Sequence, residues 1–95
     1  MIERHITFHV LSGKESEFEQ FIKDEYCLAM SEKEGFVKTG LLRDKETPSQ
    51  YCMVICFDTI ENAAAWRESA EHRALKPKLA NLYSESNLKV FEVIA

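Results

Sequence analysis

A chain of 95 residues is one small domain, which on folding hides too little surface to be strongly stable alone. Its 12 Lys and Arg residues against 16 Asp and Glu residues give a net charge of −4 without a basic stripe, so nucleic acid and anionic membranes are poor partners. The sequence shows no signal peptide and no transmembrane stretch. We therefore expect a single domain over residues 1–95, located in the cytoplasm.

The amino-terminal third predicts a strand and then a helix. Residues 2–10 alternate between apolar and polar side chains, as a strand with one covered face does, and the apolar set is Ile6, Phe8 and Val10. A break at Ser12 and Gly13 follows. Beyond it, apolar side chains recur at helical spacing as far as Met30, which predicts an acidic helix with one buried face.

The remaining chain predicts a hairpin, further helices and a last strand. The runs GFVKTGLLR and YCMVICF flank the turn-rich DKETPSQ, as the strands of an antiparallel hairpin do. Thr59 is expected to cap a helix through Ala63, Trp66 and Ala70. Pro77 cannot continue an unbroken helix, so we expect separate helical segments on either side of it. SESN is predicted to be a loop, and LKVFEVI the fourth strand.

The order β-α-β-β-α-β predicts an α+β ferredoxin-like fold, a four-stranded antiparallel sheet with helices on one face. Its third strand is apolar throughout, although the helices can cover only one side of it. One of two sets must then face outward: Tyr51, Met53, Ile55 and Phe57, or Cys52, Val54 and Cys56. Covering such a set would contribute on the order of 5 to 10 kcal/mol. We therefore predict a symmetric homodimer with its sheets face to face.

Histidine and cysteine usage does not indicate a metal site. His5 and His9 share one face of the first strand, but no third ligand is evident, which favours a polar surface. Four residues of strand between Cys52 and Cys56 span roughly 13 Å, too far for a disulfide. We expect these two cysteines and Cys27 to be reduced.

The segment AAAWRESAEH, which contains Trp66, Ser69 and His72, resembles the W-x-x-S-x-x-H segment of the antibiotic biosynthesis monooxygenase (ABM) domain family. VLSGKESEFEQF and VICFDT extend the resemblance over nearly the whole chain. The resemblance implies a dimeric α/β barrel. It also implies one of several activities, since some members oxidise phenols or quinols with molecular oxygen and no metal, flavin or other prosthetic group, while others degrade haem or have no established chemistry.

Two residues argue against haem degradation. The haem-degrading branch combines an asparagine in the first strand with a tryptophan and an iron-binding histidine ten residues later. In this chain Lys76 stands at that distance from Trp66, and Ile6 stands in place of the asparagine. Lysine is a poor substitute for the neutral imidazole that binds iron.

The resemblance thus favours a cofactor-independent monooxygenase that acts on a small planar hydroxylated aromatic such as a quinol. His72 is the candidate base, because an imidazole can accept a phenolic proton near neutral pH. Trp66 is a candidate stacking wall, and Tyr51 and Tyr83 are candidate hydrogen-bond partners of the substrate.

Each of these residues also has a purely structural interpretation. Trp66 can fill the space between helix and sheet, Ser69 can cap a turn, and His72 can be hydrogen-bonded at a helix end. The rival hypotheses are a non-catalytic dimer that binds a small aromatic molecule or acts in stress or regulation, and an isomerase or lyase. An apolar cavity beside Trp66 that His72 also touches would favour an enzyme or a binding protein; a filled interior would favour a structural role.

Overall fold

A computed structural model describes residues 1–95 and contains one antiparallel sheet. Its strands are β1 (Ile2–Val10), β2 (Phe36–Arg43), β3 (Gln50–Phe57) and β4 (Tyr83–Glu92). They lie in the order β2-β3-β1-β4, so the first and third strands are central, and each neighbouring pair is antiparallel. The predicted four-stranded α+β ferredoxin-like fold is confirmed.

The helices are α1 (Glu15–Phe21), α2 (Cys27–Ser31), α3 (Ile60–Glu68) and α4 (Ala70–Ala80). A π-helical turn over Ile22–Tyr26 joins α1 to α2, so residues 15–31 form one continuous helical segment. Its predicted apolar face is buried, through Phe18, Phe21, Ile22, Tyr26 and Met30. The π-helical turn itself was not predicted. No helix in the structure is long and apolar enough to cross a membrane.

Two hydroxyl side chains set the limits of α3 and α4. Thr59 Oγ1 accepts a hydrogen bond from the backbone N–H of Asn62 at 3.1 Å, which confirms the predicted cap. Ser69 Oγ accepts from the N–H of His72 at 3.1 Å and donates to the carbonyl of Trp66 at 2.7 Å. Ser69 therefore ends one helix and begins the next.

Two expectations about local structure were wrong. Pro77 lies inside the unbroken helix α4, where it is exposed, so the carbonyl that loses its usual N–H partner can bond to water instead. The SESN segment belongs to β4, because Ser86 and Asn87 pair with Phe8 and Thr7 of β1. Its polar composition reflects an edge strand exposed to solvent.

The helices cover one face of the sheet. That face contributes seven buried side chains from the two central strands: Arg4, Phe8, Val10, Tyr51, Met53, Ile55 and Phe57. Cys52, Val54 and Cys56 point to the opposite face, which resolves the alternative left open by the sequence. Cys56 is covered there by Met1, at 3.8 Å between the sulfur atoms, whereas Leu42, which pairs with Cys52, is 59% exposed.

Candidate functional site

Trp66 and His72 lie against each other at the junction of α3 and α4. Their ring centroids are 5.1 Å apart and the rings are nearly perpendicular, at 85°. Tyr26, from the π-helical turn, contacts both rings at centroid distances of 5.4 and 5.8 Å. Because Ser69 bonds to the backbone of both residues, the turn between the helices fixes this pair. The structure thus brings together two of the four predicted site residues.

Arg4 lies under α3, on the helix-covered face of β1. Its side chain is only 4% exposed, and its one hydrogen bond runs from Nη1 to the carbonyl of Ala63, at 3.4 Å. It takes part in none of the ion pairs. A buried cation without an anionic partner is costly for the stability of a fold.

The buried side-chain nitrogen and oxygen atoms without a hydrogen-bond partner are three in number: Arg4 Nε, Trp66 Nε1 and His72 Nδ1. We refer to Arg4, Tyr26, Trp66 and His72 as the Arg4 cluster. Arg4 acts electrostatically on both Tyr26 and His72, which places it near them. Buried polar groups in proteins are nearly always paired, so this concentration of unpaired atoms sets the cluster apart from the rest of the interior.

The electrostatics of the cluster favour a neutral imidazole next to positive charge. Burial lowers the pKa of His72, and the cationic side chains of Lys76, Arg67 and Arg4 lower it further. Burial also raises the pKa of Tyr26 to about 12. At neutral pH both rings are therefore uncharged, and the same positive side chains would stabilise an anion bound beside them.

An apolar strip adjoins the cluster on β1 and β4. Val90 pairs with Arg4 and Leu88 pairs with Ile6, so all four share the helix-covered face of the sheet. The helices stop short of this edge, leaving Leu88 44% and Val90 49% exposed. Trp66 itself is only 1% exposed, and no surface cavity is lined by Trp66 or His72. The space around the indole is filled by protein.

Tyr51 and Tyr83 lie elsewhere. Tyr83 packs against Phe8 at 5.1 Å between ring centroids, and Tyr51 packs against Phe18 at 4.9 Å. The hydroxyl of Tyr51 donates to Glu19 Oε2 at 2.5 Å. Neither tyrosine ring contacts Trp66 or His72, so their assignment to the same substrate stays a prediction.

Tyr51 instead borders a cavity of about 460 Å³ between the helical segment 15–31 and β2. We call this cavity the β2 groove; its walls include Glu19, Ile22, Lys23, Cys27, Thr39, Leu41 and Arg43. Arg43 Nη1 donates to Glu19 Oε2 at 2.9 Å, the oxygen that also accepts from Tyr51. The volume lies within the range of small-molecule sites, although polar and charged residues form more than half of the lining.

The other titratable residues form no further centre. His5 Nε2 lies 2.7 Å from Glu3 Oε2, and no group of three His, Cys, Asp or Glu side chains is placed to hold a metal ion. All three cysteines are free thiols. Burial raises the pKa of Cys27 and of Cys52, so both thiols are protonated at neutral pH.

Sequence reasoning missed Arg4 and Tyr26. The signal for Arg4 was present, because it stands in phase with Ile6 and Phe8 on the inward face of an alternating strand. The signal for Tyr26 was its place on the apolar face of the first helix. Nothing in the pattern of either segment indicated that the two would meet Trp66.

Residues 1–78 match the family model described as antibiotic biosynthesis monooxygenase. The chain belongs to this family. Among solved structures, a putative antibiotic biosynthesis monooxygenase from Nitrosomonas europaea superposes with a TM-score of 0.90 at 16% identity, covering 100% of both chains. One from Bordetella bronchiseptica gives 0.86 at 21% identity, covering 99% of this chain and 97% of its own.

A third ABM-type structure has a stated chemistry. SnoaB, a cofactor-independent oxygenase from Streptomyces nogalater, superposes with a TM-score of 0.88 at 18% identity, over 99% of this chain and 93% of its own. Identities this low establish a shared fold. No curated protein sequence matches the chain.

Proposed function

We propose that this ABM protein is a cofactor-independent monooxygenase that oxidises a small planar hydroxylated aromatic, such as a quinol, at the Arg4 cluster. Family membership supports the reaction class, and the stated chemistry of SnoaB supports the absence of a cofactor. The observation that carries the proposal is the buried guanidinium of Arg4, which has no acidic partner and bonds to the carbonyl of Ala63, one helical turn before Trp66.

His72 is the proposed base. Its lowered pKa keeps the imidazole unprotonated at neutral pH, so it can accept the proton of a phenol. A weaker base would normally transfer a phenolic proton less well. Here the positive side chains that lower the pKa of His72 would also lower that of the bound phenol, because they stabilise the phenolate.

Trp66 and the apolar strip would form the walls of the site. The indole packs against Tyr26 at the helix junction, and its Nε1 would donate to a substrate oxygen. Leu88 and Val90 offer a flat apolar surface for the aromatic rings next to Arg4. The further prediction that Tyr51 and Tyr83 orient a substrate oxygen requires a ligand that reaches the other end of the sheet.

In the proposed reaction, His72 removes the phenolic proton and the phenolate gives one electron to molecular oxygen. The resulting phenoxyl radical and superoxide combine at a ring carbon that carries hydrogen, forming a C–O bond. Loss of water from this hydroperoxide leaves a carbonyl group. One oxygen atom of O₂ thus enters the product and the other leaves as water, so the electrons balance without a further reductant.

We also propose that the protein works as a homodimer in which the open faces of two sheets meet. Val54 and Cys52 are half-buried on that face, and Leu42 is 59% exposed beside them. Val54→Asp should place two charges in this interface and yield monomers, because a charge is costly to bury. Sedimentation of the wild type as a monomer at micromolar concentration would refute the dimer.

The filled interior around Trp66 favours a second candidate, a non-catalytic dimer that binds a small aromatic molecule or acts in a stress response. Such a protein would need Trp66 only for packing. It would bind a quinol without changing the rate of its oxidation.

Incubation of the purified protein with naphthalene-1,4-diol and ¹⁸O₂ tests the proposal. We expect oxygen uptake above the spontaneous rate and a hydroxynaphthoquinone that carries one ¹⁸O atom. Spontaneous oxidation to naphthoquinone adds no oxygen atom to the ring, so the label separates the two reactions. Binding of the diol without label incorporation would support the non-catalytic candidate instead.

A further inference from the structure

The β2 groove is a second concave region, and no residue of the Arg4 cluster lines it. The helical segment 15–31 presents one face to the groove, at positions that recur every three or four residues: Glu19, Ile22, Lys23 and Cys27. The opposite wall is the edge strand β2, whose side chains there belong to the helix-covered face: Thr39, Leu41 and Arg43. Each of these three pairs with a buried residue of β3 that faces the helices, which fixes the direction of its side chain.

One end of the groove holds a carboxylate in contact with a guanidinium. Glu19 Oε2 accepts from the Tyr51 hydroxyl at 2.5 Å and from Arg43 Nη1 at 2.9 Å. The other carboxylate oxygen, Oε1, makes no hydrogen bond within the protein, and Arg43 uses only one of its N–H groups. A free acceptor and free donors therefore stand side by side at this end, while the two charges offset each other.

The middle of the groove is apolar and neutral. Ile22 is buried there and Leu41 is half-buried. The hydroxyl of Thr39 donates its single proton to the carbonyl of Val54, at 2.8 Å, so the Cys27 thiol, at 3.8 Å, is the donor to Thr39. Burial raises the pKa of Cys27, which keeps the thiol uncharged at neutral pH. The side chains of this part therefore offer contact area to a ligand but no free hydrogen-bond donor.

The charges around the groove disfavour a ligand whose head group is itself charged. A carboxylate at the polar end would face Glu19, and an ammonium group would face Arg43. The remaining charged side chain, Lys23, is exposed and takes part in no ion pair, so water solvates it and its attraction for an anion is weak. A neutral head group that both accepts and donates hydrogen bonds meets no repulsion at this end.

We infer that the β2 groove binds a small aromatic carboxamide. The carbonyl oxygen of the amide accepts from Arg43 and its N–H donates to Glu19 Oε1, while the ring lies over Ile22, Cys27 and Leu41. The volume of about 460 Å³ lies within the usual range for small-molecule sites. The site needs neither molecular oxygen nor a phenolic hydroxyl, so the inference is independent of the proposed oxidation.

The probe is 2-naphthamide, which has an aromatic body and a primary amide but no phenol to oxidise. Titration into ¹⁵N-labelled protein should shift the backbone amides of Ile22 and Leu41, and leave those of Trp66 and His72 in place. The matched ligand control is N,N-dimethyl-2-naphthamide, which keeps the ring and the carbonyl but has no N–H to donate to Glu19. It should bind at least about fivefold more weakly.

Arg43→Leu removes the donor to the amide carbonyl. The fold should be preserved, because the Arg43 side chain is 59% exposed and Tyr51 still donates to Glu19. We expect the affinity for 2-naphthamide to fall at least about fivefold. Arg73→Leu, which removes an exposed arginine of α4 outside the groove, is the matched control and should bind like the wild type.

Four results would each overturn the inference. The first is that 2-naphthamide does not bind, and the second is that its shifts map to the Arg4 cluster. The third is that the dimethyl amide binds as tightly as 2-naphthamide, which would show that no N–H is donated to Glu19. The fourth is that Arg43→Leu binds 2-naphthamide like the wild type.

Discussion

The Arg4 cluster and the β2 groove use the same types of residue in opposite ways. In the cluster, Arg4 is buried without an acidic partner, and the rings around it leave no cavity. In the groove, Arg43 is exposed and paired with Glu19, and the space beside it is open. Unpaired buried charge favours chemistry that develops an anion, whereas open space with paired charges favours simple binding. The following variants are ways to test this contrast.

Replacing Trp66 should have the largest effect, because the indole is the most voluminous fully buried side chain. Trp66→Ala is expected to reduce the free energy of unfolding by about 3 to 5 kcal/mol, measured in urea. Leu41→Ala, at the half-buried floor of the groove, should cost clearly less, since that site is already open. Equal losses for the two variants would contradict the difference in packing.

Ser69 holds the cluster together by capping α4 and bonding to the carbonyl of Trp66. Ser69→Ala should lower the free energy of unfolding by about 1 kcal/mol. Ser69→Thr retains the hydroxyl and should recover most of that loss. A Ser69→Ala variant as stable as the wild type would show that the turn between α3 and α4 does not depend on the cap.

In the groove, Tyr51→Phe removes one of the two donors to Glu19 Oε2. Because Arg43 remains as a donor and the carboxylate is accessible to water, we expect a loss of no more than about 1 kcal/mol. Urea unfolding measures it, with Tyr83→Phe as the control. A loss of unfolding free energy as large as that of Trp66→Ala would mean that the groove is packed as tightly as the Arg4 cluster.

The smallest expected effect concerns the pH dependence of the free energy of unfolding, to which His72 of the Arg4 cluster should contribute. The pKa of His72 is lower in the folded protein than its ordinary value of 6.5, so the unfolded chain binds more protons between the two values. The stability contributed by burying the neutral ring is therefore complete above pH 6.5 and is lost as the pH falls through the lowered pKa.

His72→Gln should remove this component and flatten the dependence of the free energy of unfolding on pH below 6.5, relative to the wild type. Asn87→Gln, a substitution without a titratable group on the exposed edge strand β4, is the control and should leave the slope unchanged. Identical slopes for the wild type and His72→Gln would show that His72 is not desolvated.

Much of the fold was predictable because hydrophobic periodicity and turn residues reveal it locally. The alternation in β1, the apolar face of residues 15–31 and the Thr59 cap are all confirmed. The errors arose where tertiary contacts override local signals. Pro77 is tolerated on the exposed side of α4, and the polar SESN segment is held in β4 by pairing with β1.

The site was less predictable because it depends on contacts between distant segments. Trp66 and His72 share a short segment, and the Ser69 cap between them could be inferred from sequence. Arg4 of β1 and Tyr26 of the π-helical turn both contact residues of α3, and these contacts join segments that are far apart in the sequence. Periodicity indicates which side of an element faces inward, but not which inward residues of different elements become neighbours.

The most direct test of the account is the rate of ¹⁸O incorporation into naphthalene-1,4-diol by His72→Ala relative to the wild type. Arg73→Ala, exposed on the same helix, is the matched control and should keep the wild-type rate. If His72 is the base, its loss should reduce the rate by at least about 100-fold, with the fold intact by circular dichroism. A labelled product formed by His72→Ala within about twofold of the wild-type rate would contradict the central claim.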